Sequence, residues 1–151
     1  MQIARSRLSF AYGAIALLAL LATWHQNLHY FAAGGGNPGG GFVGATMQFW
    51  KETFATPAGA SITLDLLLFG LAVTMWMVFE ARRLGIPFVW VYVVLGFLIA
   101  ISVTFPLFLL ARERRLTTLG QVTPTITAGD ALGLALVGVP IVAISLWSLF
   151  A

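Results

Sequence analysis

The chain has 151 residues, of which 60% are hydrophobic and only 9% charged, and its formal net charge is +3. A soluble domain of this length carries roughly a quarter of its residues as charges, so the balance excludes an ordinary water-facing globule. The positive charge is nearly all arginine, clustered at the ends of apolar runs, where it anchors helices to headgroups; nucleic acid is excluded as a partner on that ground. There is no cysteine, which removes disulfides, thiolate metal sites and cysteine nucleophiles.

The opening stretch, MQIARSRLSFAYGAIALLALLATWH, has the basic start and apolar middle of a secretory signal. Its apolar run is longer than a signal core and no A-x-A cleavage site follows. It reads as a retained first span over residues 9–25, with room to extend to His29. The glycine-rich loop 33–41, AGGGNPGGG, reads as a hinge; no Gly-Lys-Ser/Thr follows it, as a phosphate-cradling loop requires. In residues 42–55, Val43, Met47, Trp50 and Phe54 fall at i, i+4, i+7 and i+11, with Gln48, Lys51 and Glu52 off that stripe. This pattern predicts an amphipathic helix lying on the membrane surface.

Three further spans follow, over residues 61–79, 87–110 and 131–150. Each is near the roughly 20 residues needed to cross a bilayer as helix. Strands are not credible there, because lipid demands backbone hydrogen bonds closed within a helix or a barrel. Small residues recur at helical spacing: Ala16, Ala19 and Ala22; Gly70 with Thr74; Gly96 with Ala100; Ala131, Ala135 and Gly138. Such stripes let helices approach closely. The expected fold is therefore an all-α single membrane domain, a bundle of four transmembrane helices with one interfacial helix in the first loop.

Four crossings put both termini on one side with Arg5, Arg7, Arg82 and Arg83, against Lys51, Arg112, Arg114 and Arg115 on the other. With charges so evenly divided, the positive-inside rule does not choose an orientation. Weight given to the first helix places the chain in the cell inner (cytoplasmic) membrane, with both termini cytoplasmic.

Asp65 is the one carboxylate inside a span, about 6 Å from the expected helix start. The helix dipole and free first-turn N–H groups favour an acid there; an intramembrane acid is equally a site in search of a partner. The partners available on that side are Lys51, His25, His29 and the cluster Arg112–Arg115. Asp65, His25, His29 and Glu52 form the candidate polar site. His25 and His29 fall on one face of a continuing helix, a start for a metal or tetrapyrrole site, but two imidazoles alone bind weakly and no metal is assigned. Their plainer reading is an aromatic belt beside Trp24 and Tyr30. Glu80 is spaced for a local i, i+3 pair with Arg83. Pro106 predicts a kink late in the third span, and RERR after it reads as a helix stop and a lipid phosphate site. Trp50, Phe54, Arg112, Arg114 and Arg115 are the candidate lipid or partner contacts. No set of paired acids, base or nucleophile stands out as catalytic.

Asp65-Leu66, then EARRLGI (Glu80 to Ile86), then PLFLLARERRL (Pro106 to Leu116) resemble an uncharacterised family of small bacterial membrane proteins, a domain of unknown function. The likeness covers residues 9–116, with an FW-x-E-x-FA segment before the three motifs. It marks Trp50, Glu52, Phe54, Asp65, Glu80, Arg83, Pro106, Arg112 and Glu113, and implies no activity. The long glycine stretch and the fourth span depart from the pattern; the extra span suggests an added packing surface. The expected function is a non-catalytic accessory or scaffold subunit that packs on partner helices, or on copies of itself, and binds membrane lipid or a hydrophobic pigment or quinone. The alternatives are a small proton-coupled transporter or channel component using Asp65, and a membrane enzyme acting on lipid or isoprenoid substrates.

Overall fold

A computed structural model describes residues 2–33, 41–121 and 126–150, and the regular structure in them is helical throughout. The helices are α1 (Gln2–Ala32), α2 (Gly41–Thr53), α3 (Pro57–Leu84), α4 (Val89–Leu98), α5 (Ile101–Thr118) and α6 (Ala128–Trp147). The segments Leu8–Ala32, Pro57–Leu84 and Ala128–Trp147 are long and apolar enough to cross a membrane. Most of the glycine-rich loop 33–41 lies outside the described residues. The chain divides into two compact units, Trp24–Trp76 and Met1–Thr23 with Met77–Ala151.

In the unit Trp24–Trp76, α1 runs unbroken past residue 25 to Ala32. α2 forms where the sequence pattern requires it, and the Tyr30 ring meets Phe49 edge-on at 5.4 Å. α3 starts at Pro57, a full turn before the expected residue 61. The cause is local chemistry. Thr56 caps the helix by accepting the Gly59 N–H on its hydroxyl at 3.0 Å, and Pro57 sits at the first helical position, where its missing N–H costs nothing. Gly59 admits no side chain, since a Cβ there would lie 2.6 Å from the Thr53 carbonyl oxygen at the end of α2.

Along α3 the buried positions Thr63, Gly70, Val73, Met77, Glu80 and Leu84 repeat at spacings of three, four and seven. They form one stripe, joined at its end by buried Ala81, on a helix whose remaining positions are mostly exposed.

In the other unit, α3 ends at a left-handed Gly85 (φ 64°). The Ile86 N–H closes on the Ala81 carbonyl at 2.9 Å, the pattern of a glycine-terminated helix. The next segment departs from expectation. The apolar run 87–110 is not one helix but two, interrupted at Ile99 and Ala100, where Ala100 is fully extended. Gly96 faces Thr104, and further from the turn Tyr92 meets Phe108 edge-on at 5.7 Å. Residues thus pair in opposite order, and α4 and α5 form an antiparallel hairpin. A Cβ on Gly96 would lie 2.9 Å from Thr104 Oγ1, so glycine is what lets the two helices touch. The Ala100 carbonyl accepts the N–H groups of both Val103 and Thr104 at the tip. The break lies upstream of Pro106, which sits buried within α5. α6 starts at a reciprocal cap between Thr127 and Asp130 and buries no residue.

Candidate functional site

The densest polar cluster joins the last turn of α3 to the far half of α5. Glu80 is 8% exposed and accepts two hydrogen bonds from Arg83, Nε to Oε2 and Nη2 to Oε1, both 2.7 Å. The pair is the i, i+3 contact that the spacing predicts. Arg112 adds what the spacing does not: its Nε donates to Glu80 Oε1 at 2.7 Å while its Nη1 donates to Glu113 Oε1 at 3.0 Å. Glu113 is 3% exposed. One guanidinium therefore bridges two buried carboxylates from different helices. Alongside, Arg115 Nε donates to the Leu84 carbonyl at 2.8 Å, satisfying one of the acceptors that a helix end leaves open.

This arrangement corrects the sidedness read from four crossings. Arg112 and Arg115 meet the Glu80–Leu84 end of α3, so the cluster Arg112–Arg115 stands with Arg82 and Arg83. Asp65 lies fifteen residues earlier on α3, about four turns away. Arg112 is thus committed to Glu80 and is not the partner of Asp65. The signal was present in the charges: the acid-then-arginines of EARR and the RER of α5 complement one another. A continuous third span, however, would have held them on opposite sides.

Asp65 is the ninth residue of α3, beyond the first turn in which the helix dipole acts. Thr56 does the capping instead. Two residues on from buried Thr63, Asp65 is rotated by about 200° onto the opposite face, beside exposed Ile62, Leu68 and Phe69. Among the described residues its carboxylate has no hydrogen-bond or ion-pair partner.

His25 and His29 share a face of α1, with ring centroids 4.4 Å apart. Among the described residues no three acids or histidines come together as metal ligands do. Glu52 accepts from Gln48 Nε2 at 2.9 Å. That bond, with the Tyr30 hydroxyl as a smaller influence, holds its carboxyl below the usual carboxylate range. Trp50 and Phe54 are exposed, Trp50 near the end of α2 and Phe54 in the turn after it, while Arg114 is exposed at the surface.

Taken together, the described residues define an all-helical protein with three helices of membrane-crossing length and apolarity, one of them tied by a buried ion-pair cluster to a helical hairpin. The chain belongs to the family described as protein of unknown function DUF2834, which it matches over residues 11–114. Neither the curated proteins nor the solved structures contain a match to it. Four of the residues on which the family resemblance rests, Glu80, Arg83, Arg112 and Glu113, form the one bridged cluster.

Proposed function

We propose that the chain is a non-catalytic accessory or scaffold subunit of the cytoplasmic membrane, crossing it three times. α1, α3 and α6 are the crossings. α2, with Val43, Met47 and Trp50 exposed along one stripe, lies on the surface. The α4–α5 hairpin enters and returns on one side: α4, at 10 residues, is about 15 Å long, half the hydrocarbon thickness of roughly 30 Å. Three crossings leave the termini on opposite sides. Seven of the eight basic residues, all but Lys51, then share the side of the α1 N-terminus, and the positive-inside rule makes that side cytoplasmic. The chain has no cysteine of its own, so the expected result is a clean one. Ala55→Cys reacts with an impermeant maleimide in intact cells, whereas Gln121→Cys reacts only after permeabilisation. Equal reactivity at both would restore the fourth crossing.

The observation that carries the subunit reading is α6, a 20-residue apolar helix with no buried position. Ala135, Gly138 and Ala143 leave a shallow concavity along it between Leu134, Val142 and Leu146. Small residues flanked by larger ones are what a partner helix packs against in lipid. Nothing lies within 4 Å of a Cβ built at Gly138, so Gly138→Leu leaves this chain's own packing untouched. Its expected effect is loss of co-purifying subunits or copies in native mass spectrometry, with thermal stability of the isolated chain unchanged. Retention of every association would end this reading. Absorbance of the same particle reports a bound pigment or quinone.

A second reading, proton-coupled transport, draws on Asp65, whose unpaired carboxylate on an apolar face is costly in lipid. Vesicle proton flux that is the same in Asp65→Asn would eliminate it.

A further inference from the structure

Beside the ion-pair cluster, α4 and α5 leave an open groove of about 690 Å³ whose walls are mostly carbon, including Phe88, Tyr92, Leu107 and Leu110, and whose end carries Arg114 and Arg115. That volume lies within the range of small-molecule sites. The electrostatics of this end of the molecule are asymmetric. Arg83 and Arg112 are matched by Glu80 and Glu113. Arg114 is exposed, and among the described residues nothing pairs with its guanidinium. Arg115 has one N–H committed to the Leu84 carbonyl, which fixes the side chain and leaves further donors. An apolar trough that ends in two unneutralised guanidiniums is complementary to an amphiphile with an anionic head.

We infer that this groove binds the phosphate headgroup and proximal acyl chain of an anionic glycerophospholipid. Arg114 and Arg115 receive the phosphate, and Tyr92, Leu107 and Leu110 receive the chain. Guanidinium donors suit phosphate oxygens in charge and geometry. The inference rests on the membrane reading above, and it agrees with its sidedness, because the arginines then face the leaflet in which anionic lipids concentrate. The notion that RERR as a whole contacts lipid is narrowed: Arg112 is internal to the fold, whereas Arg114 and Arg115 line the groove.

The test uses the full chain. Carbonate extraction first asks whether it remains in the membrane pellet; release into the supernatant would overturn the membrane reading and this inference together. Protein from the pellet, purified in neutral detergent, is then offered phosphatidylglycerol, phosphatidylcholine or soluble glycerol 3-phosphate and followed by native mass spectrometry. Phosphatidylglycerol is expected to be retained preferentially, and excess glycerol 3-phosphate not to displace it. Arg114→Gln should weaken retention about fivefold, the worth of one cation at an anionic surface. Leu107→Trp, which fills the trough and removes no charge, should weaken it as well. Arg82→Gln, on the same end of α3 but outside the groove, should change it less than twofold. Retention indifferent to Arg114→Gln, equal loss in Arg82→Gln, or displacement by glycerol 3-phosphate would overturn the inference while leaving the protein a membrane subunit.

Discussion

Arg112→Ala is expected to destabilise the protein by about 3 kcal/mol, the scale set by removing one partner of a buried ion pair. The loss is large because Arg112 serves two acids: Glu80 and Glu113 are both buried, and each accepts one of its N–H groups. Without it Glu80 keeps Arg83, whose side chain is more than half exposed and therefore well screened. Glu113 loses the cation it shares with Glu80. Arg112→Lys retains the charge, but an ammonium is a point donor without the planar fork that bridges two carboxylates, so an intermediate loss is expected. Glu80→Gln combined with Arg112→Gln should cost less than the sum of the single changes, because no unmatched charge remains between that pair. Unfolding of these variants and of the two single changes in mixed micelles, with Arg82→Gln as a surface control, measures each loss. An Arg112→Ala protein within about 0.5 kcal/mol of the wild type, the range of an ordinary surface change, would mean that the bridge is decorative.

The legibility of this molecule in its sequence follows the range of the forces involved. Apolar run length points to the helical class and to four spans, of which three are single helices of membrane-crossing length. The Glu80–Arg83 pair and the shared face of His25 and His29 were legible because they depend only on helical spacing. The early start of α3 was available in principle, in the cap-and-proline dipeptide Thr56-Pro57, but the hydropathy of residues 57–60 masked it. That one turn changed the meaning of Asp65, which moved from a helix start to a helix interior. The interruption at Ile99–Ala100 was not legible. Residues 87–110 have the length and apolarity of a single span, and no breaker stands at the turn. The hairpin arises from non-local contacts, Gly96 on Thr104 and Tyr92 on Phe108, together with a cluster that draws α5 back to α3. Pro106, a breaker by type, lies inside α5 and does not mark the interruption. With the hairpin turned back, the three crossings we propose gather seven of the eight basic residues on one side, where four crossings divide them evenly.

The second large effect is expected at Phe108, where Phe108→Ala should cost about 3 kcal/mol, the lower end for an aromatic truncation in a packed core. In the membrane setting we propose, the usual argument for such a number is weaker, because transfer from core to acyl chains gains little. What survives is the lost contact: Phe108 is 0% exposed, its ring meets Tyr92 edge-on, and a void left there has no atoms to restore the dispersion attraction. The site cannot collapse easily, since α4 and α5 already approach as closely as Gly96 permits. Phe97→Ala supplies the contrast. It removes the same ring from the same hairpin, but Phe97 is 67% exposed, and its loss should stay below about 0.5 kcal/mol. Gly96→Val approaches the joint from the opposite direction. Its Cβ would press on Thr104 Oγ1, and overpacking of this kind costs about 1–3 kcal/mol. If Phe108→Ala and Phe97→Ala unfolded alike in micelles, lipid exposure rather than helix contact would govern both rings, and the hairpin would have to open in the membrane.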